Sequence, residues 1–486
     1  MNIWQQNEKN NRTVINENMI GNSANVFNRF WELMLLKPSP KYDKREAVID
    51  AYIYAAIIIA VVLPFLFSID YRKMSIDVIF TFFLIGIFSF FRIVTSKENI
   101  CLTRTAYVFT FIFFFMAPLQ QYSSGIVFWS DDDLNVTYSS ADYFSANMAI
   151  ILFIVFFEIG KKKCLHIKKN SRLRGSAMGN ITFTKNVSVK LMLMSTAAFL
   201  LLLITNNVFS TGSSYAYTAV YSQLINILDY FPICSLLFYI MSNGKKIEKK
   251  YLLFIFVIAI ECIVLFFPLW GKMARFMLFG TYLAIFSILF PHAKYKSLYF
   301  AAFIIGFCYF FSATRYMTSL KNVFIPQIDF NNVDYDAYQM IMLAMKYVNE
   351  RGISFGLNIL SALMFLVPRG IWQGKMIGSG SIFAGYYGSW QLNVSTPLVA
   401  EAFFAFGWLG LAVVGIITGK IVRKIDSWID ATNYYKRGTF CIFSGMTIYI
   451  MRGSLLASLA FSFGLLLAML FIGLICRVRI MPKSDT

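Results

Sequence analysis

Val367-Pro-Arg-Gly-Ile-Trp-Gln-Gly-Lys375 breaks the rhythm of a chain that otherwise alternates apolar runs with short basic loops. It lies within residues 315–407. Most of that stretch has no run that spans a bilayer cleanly, and it carries Arg315, Asp329, Asp334, Asp336, Glu350, Arg351, Arg369 and Lys375. A long connection in a compact protein is usually functional or disordered. This one is rich in Trp, Tyr, Phe, Leu and Ile, which is not the composition of a disordered segment. The expectation is an ordered site or lid carried by a helical membrane scaffold.

Outward from that stretch the chain is apolar. Of its 486 residues 58% are hydrophobic and 14% charged, and apolar runs of about 20 residues recur, the length a helix needs to cross a bilayer. The expected fold class is an all-α polytopic membrane protein with about twelve transmembrane helices. They are placed near 48–68, 75–92, 106–121, 141–160, 191–207, 223–241, 251–270, 276–291, 297–313, 397–419, 438–451 and 455–476. Residues 1–47 form a polar N-terminal segment with no signal-peptide pattern, and 48–486 a single integral membrane domain with a large extracytoplasmic loop at 314–396.

The net charge of +19 would suggest nucleic acid in a soluble protein. Here the 44 Lys and Arg residues divide 33 to 11 between the two sides of the expected spans. That asymmetry places both termini in the cytoplasm and the large loop outside, so no nucleic-acid partner is expected. The lysines at 161–163, 168 and 169 anchor this topology; contact with anionic lipid headgroups is their second reading.

The seven cysteines fall in spans, at span ends or in cytoplasmic loops, so no disulfide framework is expected. His166 and His292 fall in cytoplasmic loops, which leaves the outer face without histidine for zinc or acid–base chemistry. Asp131, Asp132 and Asp133 offer oxygen ligands for a divalent cation or form a solvated turn. The large loop has no His or Cys and only scattered acids, so no metal is expected.

Within the large loop, residues 334–349 read as a helix with Asn332 or Asp334 as N-cap and Gly352 as stop, lying on the membrane surface or packed on the spans. Residues 356–367 read as a second, apolar helix, too short to span and halted by Pro368. That arrangement sets Arg369 near the headgroup boundary. Residues 377–388, with Gly378, Gly380, Gly385 and Gly388, read as a loop that lets backbone approach a ligand, or as a plain flexible loop.

Several anchors in order resemble a known family: Asp336-Ala-Tyr, Tyr347-Val, Phe365-Leu-Val-Pro-Arg-Gly-Ile-Trp-Gln-Gly-Lys375, Gly378-Ser-Gly, Asn393-Val-Ser, Glu401-Ala-Phe-Phe-Ala-Phe-Gly-Trp-Leu-Gly410 and the late Arg452-Gly453. Together they look like the Wzy-type polymerases of bacterial O-antigen and capsule repeat units. Met376 stands where that pattern has proline, and Ser454 where an acidic or amide residue commonly follows Arg-Gly. The resemblance implies a membrane glycosyltransferase with a multi-span, GT-C-like fold in the bacterial cytoplasmic (inner) membrane. It implies a growing glycan on undecaprenyl diphosphate as donor and the next lipid-linked repeat unit as acceptor. It also implies no nucleotide sugar or cofactor, and a flippase and chain-length regulator as neighbours.

The residues agree with that chemistry. A departing diphosphate gathers charge, and fixed cations aimed at developing charge are the usual largest catalytic term. Arginine suits phosphate through its bidentate fork. Arg315, Arg369, Lys375 and Arg452 are the candidates, with snorkelling at span ends or pairing with Asp and Glu as the alternative use. Glu401, in apolar company, is the candidate base for the acceptor hydroxyl or the partner of one arginine. Asp336 is the second candidate base, or a helix cap. Asn393 and Ser395 are candidates to hydrogen-bond sugar hydroxyls, and Trp372, Tyr386, Tyr387 and Trp390 to stack on sugar faces or form an interfacial belt. An O-antigen ligase and a lipid-linked oligosaccharide flippase or other transporter stay open; a transport path would draw on Glu158, Asp229 and Glu261.

Overall fold

The computed structural model describes residues 44–96, 100–126, 136–162, 185–209, 219–242, 252–266, 296–306, 329–388, 394–429 and 433–475, with a few single positions between. The described residues contain helices and no strand. Among the described residues six helices are long and apolar enough to cross a membrane: α1 (Ala47–Phe67), α2 (Ile76–Thr95), α3 (Leu102–Ser124), α4 (Ser140–Lys161), α12 (Leu398–Asp426) and α14 (Leu455–Ile475). Between and beside them run α5 (Lys185–Phe209), α6 (Ala219–Ser242), α7 (Leu252–Phe266), α8 (Lys296–Ile305) and α13 (Tyr434–Arg452). The architecture is that of a helical membrane protein. The expected span at 276–291 lies almost wholly outside the described residues.

α3 is the axis of the bundle. Every residue of its apolar stretch is buried, whereas α1 leaves most of its stretch facing out. Its N-terminus is capped from far away in sequence. The Asp426 carboxylate accepts from the Leu102 amide at 2.8 Å, the Thr103 amide at 3.2 Å and the Thr103 hydroxyl at 2.6 Å. Those amides have no partner inside their own helix. Beside the cap, the buried Arg104 guanidinium donates to the Tyr54 hydroxyl and lies 5.6 Å from the Tyr299 ring centroid. Both α1 and α3 contain a π-helical turn, Ile58–Val62 and Ile112–Met116, and each turn is followed within two residues by a proline, Pro64 or Pro118. A proline that cannot donate to the preceding turn is accommodated by such widening.

α12 is two helices joined at a sharp bend. Phe406 (φ −147°, ψ 26°) and Gly407 (φ 60°, ψ −142°) leave helical geometry, and the positive φ is one that glycine adopts without strain. Beyond the bend the helix packs on α4 through small residues. Gly415 meets Phe153 and Phe157, Gly419 meets Phe157 and Gly160, and Gly160 meets Ile416, each at backbone range. Small residues let helix backbones approach closely inside a membrane. Before the bend, Val399 reaches a small cavity shared with Thr110, Phe114, Ile150 and Phe153, midway along α3 and α4. The first turns of α12 are therefore threaded into the bundle.

The helices of the expected loop differ from the sequence reading in their bounds. α9 is Ala337–Arg351, preceded by a 3-10 turn, Val333–Tyr335, whose N-cap is Asn332, its side chain accepting from the Asp334 amide at 3.0 Å. Gly352 ends α9 with φ 86°. Residues Ala337 to Met345 are buried, and the Tyr338 hydroxyl donates to the Tyr143 carbonyl at 2.9 Å and the Asn147 side chain at 2.8 Å, so α9 packs on the spans. α10 is only Leu357–Leu363, shorter than the expected 356–367, because the chain turns at Met364 before Pro368 is reached. Residues 377–388, expected as a loop, contain α11 (Ser379–Tyr386).

Candidate functional site

Glu401 lies in the first part of α12 and is 1% exposed. Its carboxyl group joins three separate elements. Oε2 accepts from Asn358 Nδ2 of α10 at 2.8 Å and from the Ser379 hydroxyl of α11 at 2.7 Å. Oε1 accepts from the Leu455 amide, the first of α14, at 3.0 Å. Asn358 also donates to the Glu401 carbonyl at 3.0 Å, and its own oxygen accepts from Ser354 at 2.7 Å. The Ser354 and Gly356 amides donate to the Phe404 and Ala405 carbonyls, which the bend has freed. Every partner of the carboxyl group is a donor, so the group serves as an acceptor throughout.

Asp336 is paired with Arg452. The guanidinium donates to Asp336 Oδ1 at 2.9 Å, to the Asp334 carbonyl at 3.0 Å and to the Val333 carbonyl at 3.3 Å. Asp336 Oδ2 accepts from the Ser395 amide at 3.3 Å, and the Thr396 amide donates to the Arg452 carbonyl at 3.1 Å. The carboxylate is wholly buried, its partner nearly so. Pairing with an acid, the alternative use expected for this arginine, is thus what Arg452 does, and Asp336 does not cap α9 with its side chain.

Gly380 packs directly on this segment: a Cβ would lie 2.5 Å from Thr396 Oγ1, 2.9 Å from the Val394 carbonyl and 3.0 Å from that of Ser395. Gly378 faces Ser454 in the same way, at 3.1 Å from its hydroxyl. These two glycines serve close packing of α11 on the bundle. The Ser395 hydroxyl is buried without a hydrogen-bond partner among the described residues.

Lys375 and Arg369 form the cationic edge of the site. Lys375 Nζ donates to the Phe365 carbonyl at 2.6 Å and the Val367 carbonyl at 2.8 Å. Partial desolvation, then the neighbouring Arg369 guanidinium, holds Lys375 below the ordinary lysine value. Arg369 is exposed and makes no ion pair or hydrogen bond among the described residues. Near it in sequence the exposed residues are apolar: Ile371 is 80% exposed, and Leu363, Met364 and Leu366 are also exposed. On the far side of α11, the Arg351 guanidinium stacks 4.7 Å from the Tyr386 ring, and Tyr386 meets Tyr347 and Tyr387 edge-on.

The structure thus joins Glu401 to α10, α11 and α14, joins Asp336 to Arg452, and sets Arg369 beside Lys375. Arg315, Asn393, Trp390 and the triplet Asp131–Asp133 lie outside the described residues. Asn358, Ser361, Ser379 and Thr396 were missed by sequence reasoning. Asn358 and Ser361 did carry a signal, two polar residues on an otherwise apolar run, 356–367. Among the described residues no cluster of His, Cys, Asp and Glu is arranged to hold a metal. Of the acids named for a transport path, Glu158 pairs with Arg92 at 3.0 Å and Lys161 at 3.1 Å, and Glu261 accepts from Thr196 at 2.8 Å. In comparison with known proteins, the chain matches no family model, no curated protein and no solved structure.

Proposed function

We propose that this chain is a polymerase of undecaprenyl-diphosphate-linked oligosaccharide repeat units, acting on the outer face of a bacterial cytoplasmic membrane, with twelve spans and a GT-C-like architecture. The observation that carries the proposal is Arg369: an exposed guanidinium with no protein partner among the described residues, on a turn closed by Lys375 and tied to the buried Ser361 hydroxyl of α10. The resemblance of residues 336–410 to Wzy-type polymerases supplies the reaction. In that reaction an acceptor sugar hydroxyl attacks the anomeric carbon of the donor glycan. The bond from that carbon to the diphosphate oxygen breaks, the hydroxyl gives up its proton to water, and undecaprenyl diphosphate leaves with the bonding pair. Arg369 binds the diphosphate bidentately and offsets the charge that grows on it.

Glu401 and Asp336 have the role of holding the site rather than of base: the Glu401 carboxyl group ties α12 to α10, α11 and α14, and Asp336 ties the start of α9 to Arg452 and Ser395. Arg452 belongs to the same scaffold, Gly378 and Gly380 seat α11 on it, and Ser395 lies on the segment that α11 faces.

The test is the glycan ladder of a deletion strain complemented with wild-type or variant chain. Deletion removes polymer and retains one repeat unit. Arg369→Ala accumulates in the membrane yet leaves polymerisation about 100-fold slower, equivalent to about 3 kcal/mol of transition-state stabilisation. Arg369→Lys, keeping charge without the fork, restores part of it. Loss of even the single unit on deletion would replace this reading with flippase or ligase, and normal polymer from Arg369→Ala would remove Arg369 from the site.

A further inference from the structure

The turn that carries Arg369 is closed by the side chain of its own last residue. α10 stops at Leu363, and Pro368 has no N–H to give to the carbonyl four residues back. The Phe365 and Val367 carbonyls instead receive the Lys375 ammonium, at 2.6 and 2.8 Å. Inside this ring the Ile371 and Trp372 amides both donate to the Pro368 carbonyl, at 3.0 and 3.1 Å, and the Lys375 amide donates to the Trp372 carbonyl at 3.1 Å. The ring is fixed to the bundle at both ends. The Phe365 ring lies 5.3 Å from that of Phe463 in α14, and the Met376 amide donates to the buried Ser361 hydroxyl at 3.0 Å.

Arg369 therefore stands on a closed ring of backbone whose last bonds are made by one ammonium. Two of the three ammonium donors are directed at main-chain carbonyls. We propose that Lys375 is a positioning residue: it locks the Phe365–Lys375 turn so that the Arg369 guanidinium is presented ready for an anionic ligand, and it does not itself bind that ligand. The identity of the ligand as a lipid-linked diphosphate rests on the polymerase reading; the closure of the turn does not. A fixed cation gains affinity because the cost of ordering its loop is met before the ligand arrives.

The experiment uses the full chain in lipid nanodiscs and two readouts: amide hydrogen exchange over residues 364–376, and binding of undecaprenyl diphosphate doped into the discs. Lys375→Met, similar in length but without donors, is expected to speed exchange at residues 371, 372 and 375 at least tenfold and to weaken binding about tenfold. Lys375→Arg, which keeps donors for both carbonyls, restores exchange protection and most of the binding. Arg369→Ala abolishes binding and leaves exchange as in wild type, and adding Lys375→Met to it weakens binding no further. Unchanged exchange in Lys375→Met overturns the closure. Weakened binding with the turn still protected makes Lys375 a direct ligand and overturns the positioning role. Exchange that behaves as expected while no form binds the lipid leaves the closure standing, overturns the presentation of Arg369, and removes the lipid-diphosphate reading.

Discussion

Replacing Glu401 by Gln changes one oxygen to an NH2 in a place where every neighbour is a donor. Two orientations of the amide are available. If its oxygen keeps the Leu455 amide, the NH2 group faces Asn358 Nδ2 and the Ser379 hydroxyl. The serine can turn and accept, but Asn358 cannot flip without losing its bond to the Glu401 carbonyl. If the oxygen instead keeps Asn358 and Ser379, the NH2 group opposes the Leu455 amide. Either way one buried donor is left facing another, at a cost of about 1–3 kcal/mol. Relief of carboxylate burial offsets part of this. A net loss of about 2 kcal/mol is expected, roughly a 30-fold change in a local opening equilibrium. Hydrogen exchange of the Leu455 amide, with that of Asn358 and Ser379 neighbours, reads this directly in the purified protein. Glu401→Gln should exchange there about 30-fold faster while α3 stays protected. Exchange at Leu455 equal to wild type would show that Glu401 does not hold α10, α11 and α14 together, and would return it to the list of groups free for chemistry.

Two further outcomes follow from packing. Asp336→Ala takes the buried carboxylate away from the part-buried Arg452 guanidinium and should destabilise the protein by about 3 kcal/mol in thermal unfolding, with Asp336→Asn intermediate because its oxygen still accepts; equal melting of all three would refute a structural pair. Gly419→Ala should destabilise although alanine favours helix by about 1 kcal/mol, because the new Cβ meets the Phe157 backbone of α4, which no rotamer change relieves; a raised melting temperature would contradict the close α4–α12 contact.

Spans were legible wherever about twenty apolar residues run between polar ends, as at Ile76–Thr95 or Leu455–Ile475, because length and hydropathy are properties of the run itself. The stop at Gly352 was legible for the same reason: a glycine at positive φ ends a helix locally. α11 was not, since Gly378, Gly380, Gly385 and Gly388 read as loop, while Gly380 is glycine for the sake of the Val394–Thr396 backbone it touches. The end of α10 was misplaced because Pro368 hides a competitor: the ammonium that takes the Phe365 and Val367 carbonyls comes from Lys375, beyond the proline. Glu401 and Asp336 were recognisable as unusual from their surroundings, but whether a buried acid reacts or braces depends on which donors meet it. Asn358, Ser379 and Leu455 come together with Glu401 only in three dimensions.

The cap on α3 has a consequence for how the protein is made. The residue that satisfies the Leu102 amide, Asp426, is 324 positions later in the chain. At about 5–20 residues per second, the ribosome supplies it on the order of half a minute after α3 has emerged. Through that interval the most enclosed helix of the bundle has uncapped amides at one end, so its surroundings must close around it late, when α12 arrives and packs along α4. A chain arrested before residue 426 would then hold α3 in an unfinished state. A cysteine at Thr103 should react with a small thiol reagent in the arrested chain and be protected once α12 is complete.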